Sequence, residues 1–169
     1  PAKYALVDAA EYGVPQNRKR LILFGVRNDA FEGKPQELLK DFYTKTLPSY
    51  KKERVSVAEA IFDLPKFTVS KSKKEKHSHT PKETDVPNHV SRYHNPRDIS
   101  IFRELACDTA RIRKKYGTVE ALKKLYTEKT GKTSSVHTYY VLEANKQSNT
   151  IVSHLHTDGL RHIPPDPTQ

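Results

Sequence analysis

The two features that most restrict this fold are short, dense apolar runs near the start, Tyr4-Ala5-Leu6-Val7 and Leu21-Ile22-Leu23-Phe24-Gly25-Val26. Each is too short for a helix that buries one stripe, and the length suits a strand. Between them Glu11-Tyr12-Gly13-Val14-Pro15 supplies the glycine and proline of a connection. The pattern predicts two buried strands joined by a Gly/Pro loop.

Further signals follow along the chain. Ser56-Val57-Ala58-Glu59 spells a capping box before Ala60, Ile61 and Leu64, with Pro65 as the stop, so a short helix is expected from Ser56 to about Leu64. Lys66 to Asn88 holds Lys71, Lys73, Lys74, Lys76 and Lys82 with few apolar residues and reads as an exposed loop. Asn95-Pro96 is a cap followed by proline at the first helical position. Ile99, Phe102, Leu105, Ala106, Thr109, Ile112 and Tyr116 then recur at helical spacing up to Gly117, with Arg103, Cys107, Arg111 and Lys114 on the other face. A second helix begins at Thr118, carries Val119, Leu122, Leu125 and Tyr126, and ends at Gly131. Val136 to Leu142 and Thr150 to Leu155 alternate like strands, and the tail Ile163 to Pro167 is irregular.

Thirty Lys and Arg against twenty Asp and Glu leave a net charge of +10, which favours a polyanionic partner, nucleic acid first. Only 35% of the 169 residues are hydrophobic, against roughly 45–50% apolar in an ordinary soluble domain. Part of the surface is therefore expected to pack on something else. The lack of any Met implies that the natural translation start is not in view. A single cysteine and the absence of an apolar run of membrane length point to a soluble, intracellular protein, with no membrane partner.

The stretch Tyr12-Gly13-Val14-Pro15-Gln16-Asn17-Arg18-Lys19-Arg20 resembles the Tyr-Gly-Val-Pro-Gln-x-Arg-x-Arg motif of cytosine-5 DNA methyltransferases. Val57 to Pro65 resembles the helix that follows that motif, and Ser148-Asn149-Thr150-Ile151 with His162-Ile163-Pro164-Pro165 resembles the segment that closes the family's recognition domain. On an extended segment, alternate side chains share a face, so Arg18 and Arg20 are expected on one face and Lys19 on the other. The planar fork of arginine suits bidentate bonds to a base carbonyl or a phosphate.

The resemblance implies a mechanism in which the target cytosine leaves the stack and enters a pocket. Arg20 would bond the cytosine carbonyl oxygen, while Gln16 and Arg18 orient that pocket, and such donors matter where charge develops on the ring. Arg18 and Lys19 would also face the nucleic acid. A second cluster, His89, Arg92, His94 and Arg97 around Asn95-Pro96, reads as phosphate-facing. The family's Pro-Cys nucleophile and glycine-rich S-adenosylmethionine site have no counterpart: Cys107 follows Ala106, and the six glycines are never closer than eight residues. The parent enzyme would use S-adenosylmethionine, with none expected on this segment alone. The histidine pairs His77/His79 and His154/His156 lack the further ligands of a zinc site, and no metal is expected.

The fold class implied is mixed α/β: two strands from the edge of the Rossmann-like methyltransferase sheet plus a small mixed α+β target-recognition domain. Residues 1–30 would end the catalytic domain, 31–157 form the recognition domain and 158–169 return toward the catalytic domain. The partners implied are duplex DNA and a missing N-terminal catalytic half, in a bacterial-type cytoplasm or on the nucleoid. Two alternatives stand beside this reading: a non-catalytic or split-gene DNA-binding subunit, and part of a tRNA cytosine-5 methyltransferase.

Overall fold

A computed structural model describes residues 1–29, 33–69, 80–81, 85–87, 89, 93–111, 113–133, 139–151 and 162–166. The chain divides into two compact units, one made of Pro1–Ala60 with Asn145–Thr150, the other of Ile61–Ala144 with Ile151–Gln169. The expected domain boundaries at residues 30 and 157 fall inside these units.

The first unit is built on an antiparallel ribbon, β1 (Ala2–Asp8) with β2 (Lys19–Gly25), in which Ala2 faces Gly25 and Asp8 faces Lys19. Both strands stand where the apolar runs place them, but the expectation that they are buried is corrected. Opposed residues share a face, and on one face Tyr4 is 71% exposed, Leu6 68%, Leu21 61% and Leu23 67%. No described residue covers that face. The other face has an aromatic support that the sequence reading passed over. Helix α1 (Pro35–Asp41) runs on through a π-helical segment (Phe42–Thr46) into α2 (Leu47–Ser49). The Phe42 ring lies 4.9 Å from that of Phe24, and the Tyr43 hydroxyl donates to the carbonyls of Lys3 and Ile22 at 3.0 and 2.8 Å. Pro35 at the helix start was the available signal.

The capping box forms as written. The Ser56 amide and hydroxyl both donate to Glu59 Oε2, and the Glu59 amide donates back to Ser56 Oγ. The helix it starts, α3 (Val57–Ile61), is shorter than the expected span to Leu64.

In the second unit, a two-residue pairing of β3 (Phe67–Thr68) with β4 (Thr80–Pro81) lies within the lysine-rich stretch, most of which is outside the described residues. Helix α4 (Pro96–Thr109) is capped by Asn95, whose side-chain oxygen accepts from the Asp98 amide at 2.9 Å. Helix α5 (Val119–Thr130) is capped by Thr118 and ends on Gly131 in the left-handed region, φ 69°. Ile101, Leu105, Leu125, Tyr139 and Ile163 form the core, flanked by Phe102, Tyr116, Leu122, Tyr126 and Val141. Burial pushes the Tyr139 phenol up to about 12.

Two readings are corrected here. Helix α4 stops at Thr109 rather than running on to Tyr116, because the buried Asp108 carboxylate takes the amides of Lys115 and Tyr116 at 2.9 and 2.8 Å and turns the chain. Arg111 and Lys114 therefore sit in the α4–α5 connection, not on the helix face that carries the exposed Arg103 and Cys107. The strand expected over Val136 to Leu142 is reduced, among its described residues, to a single parallel bridge between Val141 and Ile163. Its residues 136–138, most of the strand expected from Thr150, and Ile112 lie outside the described residues.

Candidate functional site

The candidate site lies in the first unit, where the chain leaves β1 and enters β2. Asp8 ends β1 and caps a 3-10 turn, Ala9–Glu11. Its Oδ1 accepts the amides of Ala10 at 3.2 Å and Arg18 at 3.0 Å, while the Ala9 amide donates to the Arg18 carbonyl at 3.1 Å. One carboxylate thus ties both ends of the loop and fixes the point where β2 starts. These amide bonds, led by that of Ala10, hold the Asp8 carboxyl below its ordinary range.

Gly13 adopts φ +81°, a backbone conformation that calls for glycine, and a Cβ there would lie 3.3 Å from Lys52 Cδ. The loop is braced from the same side. Tyr12 bridges Lys52, and Glu11 pairs with Lys51 at 2.6 Å and Arg54 at 3.7 Å. The bond from Lys51 lowers the Glu11 carboxyl.

Gln16 is buried because the Asn145–Thr150 segment pairs with it. The buried Ser148 donates its amide to the Pro15 carbonyl at 2.9 Å, its carbonyl accepts the Asn17 amide at 2.9 Å, and Thr150 Oγ1 donates to the Asn17 carbonyl at 2.8 Å. The segment is anchored in turn by the Val57 amide on the Lys146 carbonyl at 2.8 Å and by Gln147 Nε2 on the Val55 carbonyl at 3.2 Å. Asn149 Oδ1 is buried without a donor among the described residues.

Within this frame the three motif residues differ. Arg18 is half-buried and donates from Nη1 to Gln16 Oε1 at 3.4 Å. Lys19 stands opposite Asp8 and Arg20 opposite Val7, so these neighbours point to opposite faces of the ribbon. Arg20 is exposed, donates from Nη1 to the Lys19 carbonyl at 2.7 Å, and keeps its other donors without a partner among the described residues. An open pocket of about 560 Å³ on the Lys19 face is lined by Leu6, Asp8, Glu11, Asn17, Lys19 and Arg54.

The second cluster is placed differently, in the second unit. His89 Nε2 donates to the Pro65 carbonyl at 2.7 Å, and its ring stacks on Phe67 with centroids 4.5 Å apart. His94 meets Phe102 edge-on at 5.0 Å, and Arg97 binds Asp98 through Nε and Nη2 at 3.0 and 2.8 Å. Arg92 lies outside the described residues. Among the described residues no three His, Cys, Asp or Glu come together as a metal site, and His77, His79, His154 and His156 are outside them. No helix among them is long and apolar enough to cross a membrane.

Sequence reasoning singled out Gln16, Arg18, Lys19 and Arg20, which the fold brings together on one loop and the start of β2, and passed over Asp8 and the Glu11, Lys51 and Arg54 brace. An aspartate at the end of an apolar run, just before Ala-Ala-Glu, is a capping signal and was available.

The model of the C-5 cytosine-specific DNA methylase family matches residues 2–166, nearly the whole chain, and the chain belongs to that family. Its members are transferases that use S-adenosylmethionine and act on DNA. Neither the curated proteins nor the solved structures searched gave a match.

Proposed function

We propose that this chain supplies target recognition, together with the base-contacting arginine, to a DNA cytosine-5 methyltransferase. The observation that carries this reading is the contrast between a motif loop tied by Asp8 and Ser148 and one guanidinium, that of Arg20, left open at the start of β2. A guanidinium carried on a tied loop can meet the carbonyl oxygen of a flipped cytosine with its remaining donors. Arg18, tied to the buried Gln16, sets the loop's shape, and Lys19 is suited to a nearby phosphate.

S-adenosylmethionine would supply the methyl group, and this reading assigns its binding and the cysteine nucleophile to a catalytic half on another segment. Cys107, exposed on α4, has no role in it. The open apolar face of the β1–β2 ribbon supports such a partner, since Tyr4, Leu6, Leu21 and Leu23 are the exposed surface that a further strand or helix layer buries. The place of action would be a bacterial-type cytoplasm or the nucleoid.

The test is Arg20→Ala in the whole enzyme. The expected outcome is a fall in methyl transfer of roughly 10²–10³-fold, the loss typical of one transition-state donor, with affinity for target duplex largely retained. Unchanged turnover would remove Arg20 from the base pocket.

A further inference from the structure

The connection between α4 and α5, residues 110–118, carries Arg111, Arg113, Lys114 and Lys115, all exposed. Such a run is usually solvated and mobile. Here its backbone is pinned at both ends by one residue: the Asp108 carbonyl accepts the Arg111 amide at 3.0 Å, and the buried Asp108 carboxylate accepts the amides of Lys115 and Tyr116. A buried carboxylate is thus committed to the end of a run that carries four cations.

Two acids beside this run, Glu104 and Asp108, are committed elsewhere. Glu104 takes the Tyr116 hydroxyl, Lys129 at 2.9 Å and Lys115 at 3.8 Å, and Lys115 also lies 4.8 Å from the Tyr116 ring centre. Asp108 is occupied by backbone amides. The side chains of Arg111, Arg113 and Lys114 have no hydrogen-bond or ion-pair partner among the described residues. This leaves three positive groups on a connection tied at both ends, two of them guanidinium forks that match phosphate oxygens.

We propose that the Arg111–Lys114 stretch is a phosphate clamp that holds the second unit on the backbone of duplex DNA. The proposal rests on the reading of this chain as part of a DNA methyltransferase. Contacts of this kind position a protein on the duplex and carry no base sequence, so the clamp contributes affinity and register while base reading is done by other residues. Pinning the loop in advance removes part of the ordering cost of each contact.

The experiment compares the whole methyltransferase with its R111A/R113A/K114A variant, measuring affinity for a target and a non-target duplex across a range of salt concentrations. A second triple, R27A/K45A/K124A, removes the same charge from cations that already pair with Asp29, Asp41 and Glu128. In the clamp variant the slope of log affinity against log salt should shrink by about 0.9 for each phosphate that is no longer neutralised. Both duplexes should weaken by the same factor. The control triple should leave the slope near that of the parent, and R111K/R113K/K114R should keep it too.

A normal slope in the parent that the clamp variant does not change overturns this proposal alone, as does a weakening confined to the target sequence. A flat slope in the parent overturns the DNA reading and the clamp with it.

Discussion

The β1–β2 ribbon and the α4–α5 pair use apolar residues in opposite ways. In the helical unit, Ile101, Leu105 and Leu125 are fully or almost fully buried and meet Tyr139 and Ile163 in a finished core. In the ribbon, Tyr4, Leu6, Leu21 and Leu23 form a continuous open face, and order comes from polar ties: the ladder itself, Asp8 on two amides, Ser148 on Pro15 and Asn17. A core made of side chains resists by excluding water. A frame made of hydrogen bonds to one or two key groups resists only while those groups are intact and correctly charged. The two regions should therefore fail under different insults.

The largest effect is expected in the helical core. Leu105→Ala removes a side chain packed among Ile101, Leu125 and Tyr139, and should destabilise the second unit by about 2–5 kcal/mol, the range for such truncations. Urea unfolding followed through the unit's tyrosines would measure it. A loss under about 1 kcal/mol would mean that the core relaxes around the gap and that the contrast with the ribbon is weaker than its geometry indicates.

How far each region could be read beforehand follows the same division. Asn95, Thr118, Gly131 and the Ser56/Glu59 pair act on neighbours three to four positions away, and each cap was visible as a local pattern. Arg18 and Arg20 were visible because a fixed spacing in a resembled motif carried them. The pairing of Gln16 with Ser148 was not, since nothing local ties residues so far apart in the chain. The end of α4 was missed for a related reason. The apolar period of Leu105, Thr109 and Tyr116 continues past Thr109, but one buried carboxylate, Asp108, overrides it by capturing two amides of the next turn. The exposure of β1 and β2 was missed because an apolar run records that a face is to be buried and not which residues will cover it.

An acid titration should loosen the ribbon's frame. The folded Asp8 carboxyl lies below its ordinary value of 3.8, so its contribution is complete above that value and disappears as pH falls through the lowered one. Glu11, also lowered by its bond from Lys51, acts in the same direction. Below about pH 4 the Arg18 amide resonance should titrate with a midpoint under that of a free aspartate, and Asp8→Asn should abolish that titration. A midpoint at the free value would show that the carboxylate does not hold the loop closed.

The smallest effect is the most informative about what the ribbon is for. Leu6→Ser and Leu23→Ser alter residues that are already about two-thirds exposed, so in this chain alone each should change stability by less than about 0.5 kcal/mol, as surface substitutions do. In the whole enzyme the same changes should cost far more, because a side chain of this size gains roughly 1.5–3 kcal/mol when a partner removes it from water. The comparison separates two accounts of one surface. Equal, near-zero losses in both settings would mean that this face meets solvent in the working protein. A loss seen only in the whole enzyme would mean that the ribbon is half of an interface, and that a partner packs on Leu6 and Leu23, on the same ribbon face as Asp8, beside the motif loop.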